Sequence, residues 1–114
     1  IYAGADLFLM PSKSEPCGLS QMIAMRYGAL PIVRETGGLK DTVRAYEAWS
    51  GEGNGFSFAD YNAGDMCHVV CEAIDLYHNN KPACARLQRR GMTADFSWTR
   101  SAQAYNDIYR TICR

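Results

Sequence analysis

Apolar residues fall into two short unbroken runs near the start of the chain and into helical stripes later. Asp6-Leu-Phe-Leu-Met10 is the first run, closed by Pro11 and Ser12. It predicts a strand buried on both faces. Gly18 to Tyr27 carry no charge before Arg26, which predicts a helix buried on most sides. Gly28 is placed to end it as a left-handed cap. Leu30-Pro-Ile-Val33 is the second run, too short for a helix and followed by charge and glycine; Pro31 near its start is compatible with a strand. Strand, helix and strand in about thirty residues make a βαβ unit, with parallel pairing and a right-handed crossover.

Thr36-Gly37-Gly38 reads as a loop. Ala45 to Gly55 reads as a surface excursion rich in glycine and polar residues, with Trp49 as its one large anchor. Gly55-Phe-Ser-Phe58 alternates as a short strand does, and Asp60 or Asn62 can cap the helix that follows. Met66, Val69, Val70, Ala73, Ile74 and Tyr77 recur as one amphipathic stripe, ended by His78-Asn79-Asn80. Lys81 to Met92 form a further helix with Arg86, Arg89 and Arg90 outward. Ser97 caps a last helix, striped by Trp98, Ala102, Tyr105, Tyr109 and Ile112. The class is α/β. Only three strands are offered where a doubly wound sheet has five or six, so the sheet is partial.

Charge removes some partners. Twelve Lys and Arg offset twelve Asp and Glu, with five basic against six acidic in residues 1–57 and seven against six in 58–114. Without a basic excess, neither nucleic acid nor an anionic membrane is the expected partner. No apolar run approaches the roughly 20 residues that span a bilayer. The five cysteines (Cys17, Cys67, Cys71, Cys84 and Cys113) are odd in number and lack a C-x-x-C pair. With no secretory leader at the start, they point to free thiols in a reducing, cytoplasmic setting. Cys67, His68 and Cys71 come nearest to a metal set, but His68 points about 100 degrees from the other two on a helix. Small buried hydrophobes are the better reading of these cysteines, and no metal site is expected. The start at Ile1, already inside a structured segment, suggests a piece of a larger protein.

The segment Pro11-Ser-Lys-Ser-Glu-Pro-Cys-Gly-Leu-Ser20 joins the first strand to the helix. In an open parallel sheet, ligands bind beyond the carboxyl ends of the strands. A helix start there offers unpaired N–H groups to a phosphate. Pro16 suits a first helical turn, and Gly18 lets a ligand approach the backbone. Glu15 at the rim could accept hydrogen bonds from sugar hydroxyls or stabilise positive charge on a sugar carbon. Alternatively, Glu15 caps the helix, with Ser12 and Ser14 as loop filler. A dinucleotide-dependent dehydrogenase is disfavoured, because no G-x-G-x-x-G follows a strand.

Ala3-Gly-Ala-Asp-Leu-Phe-Leu-Met-Pro-Ser12, Glu15-Pro-Cys-Gly-Leu19, Ala24-Met-Arg-Tyr-Gly28, Pro31-Ile-Val-Arg34 and Thr36-Gly-Gly-Leu-Lys-Asp-Thr-Val43 occur in this order. Together they closely resemble the bacterial glycogen synthases, the ADP-glucose-dependent family shared with plant starch synthases. Asn54-Gly-Phe-Ser-Phe58 and Phe96-Ser-Trp98 fit the same family's carboxyl-terminal region.

The resemblance implies a retaining glucosyltransferase of the GT-B type, with two Rossmann-like domains facing across a cleft. Residues 1–114 would be the last part of the second, nucleotide-sugar-binding domain. Residues 97–114 would be a closing helix that runs back towards the first domain, although packing on its own sheet explains the stripe equally well. Glu15 matches the family's essential glutamate beside the donor glucose. Cys17 and Gly18 match positions lining the glucose, and Leu19 and Ser20 the helix start near the diphosphate. Cys17 is favoured in a packing and backbone role over a nucleophile. Gly37 and Gly38 fall in a loop on the same sheet edge and are candidate substrate-binding residues, although turn geometry alone also explains them.

One departure stands out. Many retaining GT-B enzymes place a second glutamate eight residues after the first, where this chain has Ile23; the nearest polar candidate is Gln21. The implied partners are ADP-glucose, an α-1,4-glucan and the missing amino-terminal domain, with no metal or other cofactor. The isolated piece is expected to be inactive and to bind ADP weakly or not at all. A transferase for another nucleotide sugar and a non-catalytic interaction module remain as alternatives; a K-x-G-G-L motif encoded upstream would favour the enzyme.

Overall fold

The two apolar runs pair as parallel neighbours. In the computed structural model, which describes residues 1–113, β1 (Leu7–Met10) lies beside β2 (Leu30–Arg34) and β2 beside β3 (Phe56–Phe58). All pairing is parallel, in the order β1-β2-β3, with Leu9 opposite Ile32 and Ile32 opposite Phe56. The connections are α1 (Ser20–Arg26) between β1 and β2, and α2 (Gly37–Thr42) between β2 and β3. After β3 come α3 (Ala63–Asn79), α4 (Lys81–Thr93) and α5 (Trp98–Ile112), and a single 3-10 turn (Tyr2–Gly4) precedes β1.

The central strand explains the core. Successive side chains of β2 point to opposite faces. Leu30 and Ile32 pack with Phe56 and Phe58 against Val69, Ala73 and Leu76 of α3 and Leu87 of α4. Val33 packs on the other face with Met25 of α1, Leu39 of α2 and Val43. Four of its five residues are buried. The expectation of burial on both faces fails for β1, where Leu9 is 45% exposed. Among the described residues, β1 is an edge strand with a neighbour on one side only.

Helix α1 starts at Ser20 rather than Gly18 and buries one face through Gln21, Ala24 and Met25, leaving Ile23 and Tyr27 exposed. It is amphipathic, not buried on most sides. Gly28 ends it at φ +89°, with its N–H donating to Met25 O and the Ala29 N–H to Ala24 O, both at 3.0 Å. This is a Schellman closure. Asn62, not Asp60, caps α3 through an acceptor bond from the Asp65 N–H. Within α3, Ile74 faces outward and Leu76 takes the buried position that the stripe assigned to it. Asn80 both ends α3 and caps α4, accepting from the Ala83 N–H.

Three further expectations are corrected. Trp49 is 87% exposed and anchors nothing. The 45–55 excursion is held instead by Arg90, whose Nη1 donates to Gly51 O at 2.6 Å and Gly53 O at 3.1 Å while Nη2 meets Glu52 at 3.6 Å. Arg90 therefore turns to the loop rather than to solvent; a planar guanidinium with several donors suits paired carbonyls. Of the cysteines, only Cys84 is buried, and burial pushes its thiol pKa up. Cys17, Cys67, Cys71 and Cys113 are exposed.

No residue of α5 is buried, so packing on its own sheet does not account for its stripe. Trp98, Tyr105, Tyr109 and Ile112 all stand exposed. Ser97 caps the helix, its Oγ accepting from the Arg100 N–H. Arg114, the last residue of the expected closing segment, lies outside the described residues.

Candidate active site

Parallel pairing puts the carboxyl ends of all three strands on one edge of the sheet. The 11–19 loop leaves Met10 there, α2 begins three residues after Arg34, and Tyr61 and Asn62 follow Phe58. Arg34 links the three: its Nη1 donates to Lys13 O at 2.8 Å and its guanidinium lies 5.5 Å from the centre of the Tyr61 ring. Its Nε is buried without a partner. Beside it, Ser57 Oγ donates to Glu35 Oε1 at 2.8 Å. Sequence reasoning missed this arginine, although a cation ending an apolar strand was a visible signal.

Gly37 and Gly38 are not in a loop. They open α2, with Thr36 as the cap residue in extended conformation. Glycine is a poor helix former, and close contact between backbones explains the presence of two in succession. The Gly38 N–H donates to Pro16 O at 3.1 Å. Gly37 sits at φ +44°, and a Cβ there would fall on the carbonyl of Glu15. At Gly38 a Cβ would fall on the carbonyl of Cys17, 2.6 Å from its carbon. The backbone of 15–17 therefore rests directly on the first turn of α2.

Glu15, Cys17, Gly18, Leu19, Ser20, Gly37 and Gly38 are thus brought to one edge. Glu15 is half-buried, Cys17 and Leu19 are exposed, and Gly18 is buried at φ +73°. Helix α1 has Leu19 as its cap residue, and no side chain caps it. Glu15 stands five residues before Ser20, so it is not a helix cap.

Gln21 does not face the edge. Its side chain is 0% exposed and turned inward. Nε2 donates to Gly18 O at 2.9 Å, to Cys17 O at 3.3 Å and to Thr42 Oγ1 at 3.1 Å. Thr42 Oγ1 in turn donates to Gly38 O at 2.6 Å. The place of a second polar side chain gripping a ligand is therefore not taken by Gln21. Ile23 is partly exposed and apolar.

Among the described residues, no three His, Cys, Asp or Glu side chains gather as a metal-binding group. His68 Nε2 lies 3.5 Å from Glu72 on exposed helix surface. Among the described residues, no helix is long and apolar enough to cross a membrane.

Residues 1–92 match the family model of group 1 glycosyl transferases. The glycogen synthase of Desulfitobacterium hafniense is 57% identical over 112 residues, which are 98% of this chain and 24% of that protein. The catalytic domain of starch synthase IV from Arabidopsis thaliana, bound to ADP and acarbose, superimposes over 100% of this chain and 24% of its own, with a TM-score of 0.87 at 42% identity. Sucrose-phosphate synthase from Thermosynechococcus elongatus covers 97% of this chain and 26% of its own, with a TM-score of 0.66 at 27% identity. The chain spans about a quarter of the length of the curated relatives it matches. An α/β unit with short parallel strands, carrying this loop-on-helix edge and this match over four-fifths of its length, belongs to the group 1 glycosyltransferase family.

Proposed function

We propose that the chain is the carboxyl-terminal part of a retaining GT-B glucosyltransferase that moves glucose from ADP-glucose to the 4-hydroxyl end of an α-1,4-glucan, in the manner of a cytoplasmic glycogen synthase. The observation that carries this reading is the contact between the 15–17 backbone and Gly37-Gly38. It places Glu15 at the carboxyl edge of a parallel sheet in a chain 57% identical to a glycogen synthase.

In the proposed reaction the bond between C1 of glucose and the diphosphate breaks, and the chain-end hydroxyl oxygen bonds to C1 from the same face. The hydroxyl proton passes to the departing diphosphate oxygen. Positive charge grows on the sugar as the bond opens. The Glu15 carboxylate, fixed beforehand by its backbone, stabilises that charge without reorganising. Cys17 and Gly18 line the glucose, and the start of α1 at Leu19 and Ser20 meets the leaving group with free N–H groups. Gly37 and Gly38 hold the loop rather than touch the sugar. Positioning of donor and acceptor supplies the remainder.

The exposed stripe of α5 fits the role of the closing helix over 97–114. Aromatic and aliphatic side chains left uncovered along one helix call for an apolar partner surface, and the amino-terminal domain of the longer protein would supply it. The unshared edge of β1 likewise fits a strand from upstream. The isolated chain then lacks half of its cleft and is expected to be inactive.

A donor panel on the longer protein tests the reading. Glucose transfer from ADP-glucose to a glucan is expected, with UDP- and GDP-sugars much poorer. Transfer from another nucleotide sugar alone would overturn the donor, and binding without transfer from any donor would favour a non-catalytic module.

A further inference from the structure

Gln21 is a polar side chain in an otherwise apolar helix face, and it is completely buried. Three oxygens surround its Nε2, those of Cys17, Gly18 and Thr42. The Thr42 hydroxyl has one proton and gives it to Gly38 O, so towards Gln21 it is an acceptor. A flipped carboxamide would set Oε1 against two carbonyls, so the orientation is determined. Oε1 is then left buried without a partner. Burying an unmet acceptor is unfavourable, and an apolar side chain of the same size would avoid that penalty. The close approach is completed by Gly18, where a Cβ would stand 2.6 Å from Oε1.

We propose that Gln21 is a positioning residue for the transfer reaction: its carboxamide, with the Thr42 hydroxyl, ties Cys17 and Gly18 to α2 and so sets the place of Glu15. This rests on the glucosyltransferase reading above. The chain of donors runs from Gln21 Nε2 through Thr42 Oγ1 to Gly38 O, and each bond polarises the next. It crosses from α1 to the 11–19 loop and to α2. The backbone of 15–17 lies between these anchors, and a loop cut loose from them retains its sequence but loses its angle to the donor.

The test uses the longer protein, with kcat and KM measured per folded molecule. Gln21→Met keeps the volume and removes the donors; kcat is expected to fall at least tenfold, with KM for ADP-glucose changed less than threefold. Gln21→Glu sets a carboxylate against carbonyls, and its kcat is expected to rise as the pH is lowered and the acid becomes a donor. Should both variants fail to fold, Thr42→Val decides. It is expected to lose several-fold in kcat, with Thr42→Ser recovering most of the loss. Wild-type kcat per folded molecule in Gln21→Met, or in Thr42→Val, would overturn the proposal and assign Gln21 to stability alone. A wild-type enzyme that transfers no glucose would instead sink the functional reading, and the two failures are separate.

Discussion

Gly38 lies so close to Cys17 that a Cβ on the first would stand 2.6 Å from the carbonyl carbon and 2.7 Å from the Cα of the second. Both partners are backbone, so neither can swing aside as a flexible side chain would. Gly38→Ala is therefore expected to destabilise the protein by about 3 kcal/mol, the upper range for forcing extra atoms into a packed site. It should also displace the Glu15 loop. Thermal unfolding together with transfer rate per folded molecule checks both effects. A Gly38→Ala protein with wild-type stability and rate would mean that the loop and α2 can separate freely.

Arg90 holds the 45–55 excursion by its carbonyls, while Arg86 on the same helix stands exposed. Arg90→Ala should speed limited proteolysis within residues 46–53, because local opening sets the cleavage rate there. Arg86→Ala should not. Equal cleavage of the two variants would assign the loop's order to its backbone bonds alone, such as Tyr46 N–H to Gly55 O at 2.8 Å.

Much of this architecture was legible in the sequence, and the failures have physical reasons. Short apolar runs gave the parallel strands, because a central strand such as β2 must be apolar on both faces. Edge position is not written in a run, so the exposure of Leu9 escaped. The expected Thr36-Gly37-Gly38 loop became a helix start because a tertiary contact with 15–17 outweighed glycine's poor propensity. Arg90 and Trp49 exchanged roles for a related reason: carbonyls in a polar loop are better held by a guanidinium than by an indole. In the site, Glu15 and its glycines were visible as a motif. Gln21 was noticed as polar, and only its burial reveals that it serves the backbone.

The start of α5 carries a pH dependence. Asp95 Oδ1 accepts from the Ser97 N–H at 2.9 Å, and hydrogen bonds from Ser97 hold the Asp95 pKa below the ordinary carboxylate value. A lowered folded pKa contributes stability that is present above the ordinary carboxylate range and lost as pH falls through the folded value. Amide exchange in the first turn of α5 should therefore gain relative speed, beyond the intrinsic trend, as the pH falls below the ordinary carboxylate range. Asp95→Asn should remove that step. A step of the same size in Asp95→Asn would place its origin in another carboxylate.

The central claim is that Glu15 serves transfer rather than folding. Its most direct test is the rate of glucose transfer from ADP-glucose to an α-1,4-glucan by the longer protein and its Glu15→Ala variant, each normalised to folded molecules by calorimetry. The account predicts a loss on the order of a hundredfold or more, the scale of removing one charge-stabilising group, with the unfolding temperature nearly unchanged. Marked destabilisation with intact turnover per folded molecule would contradict it.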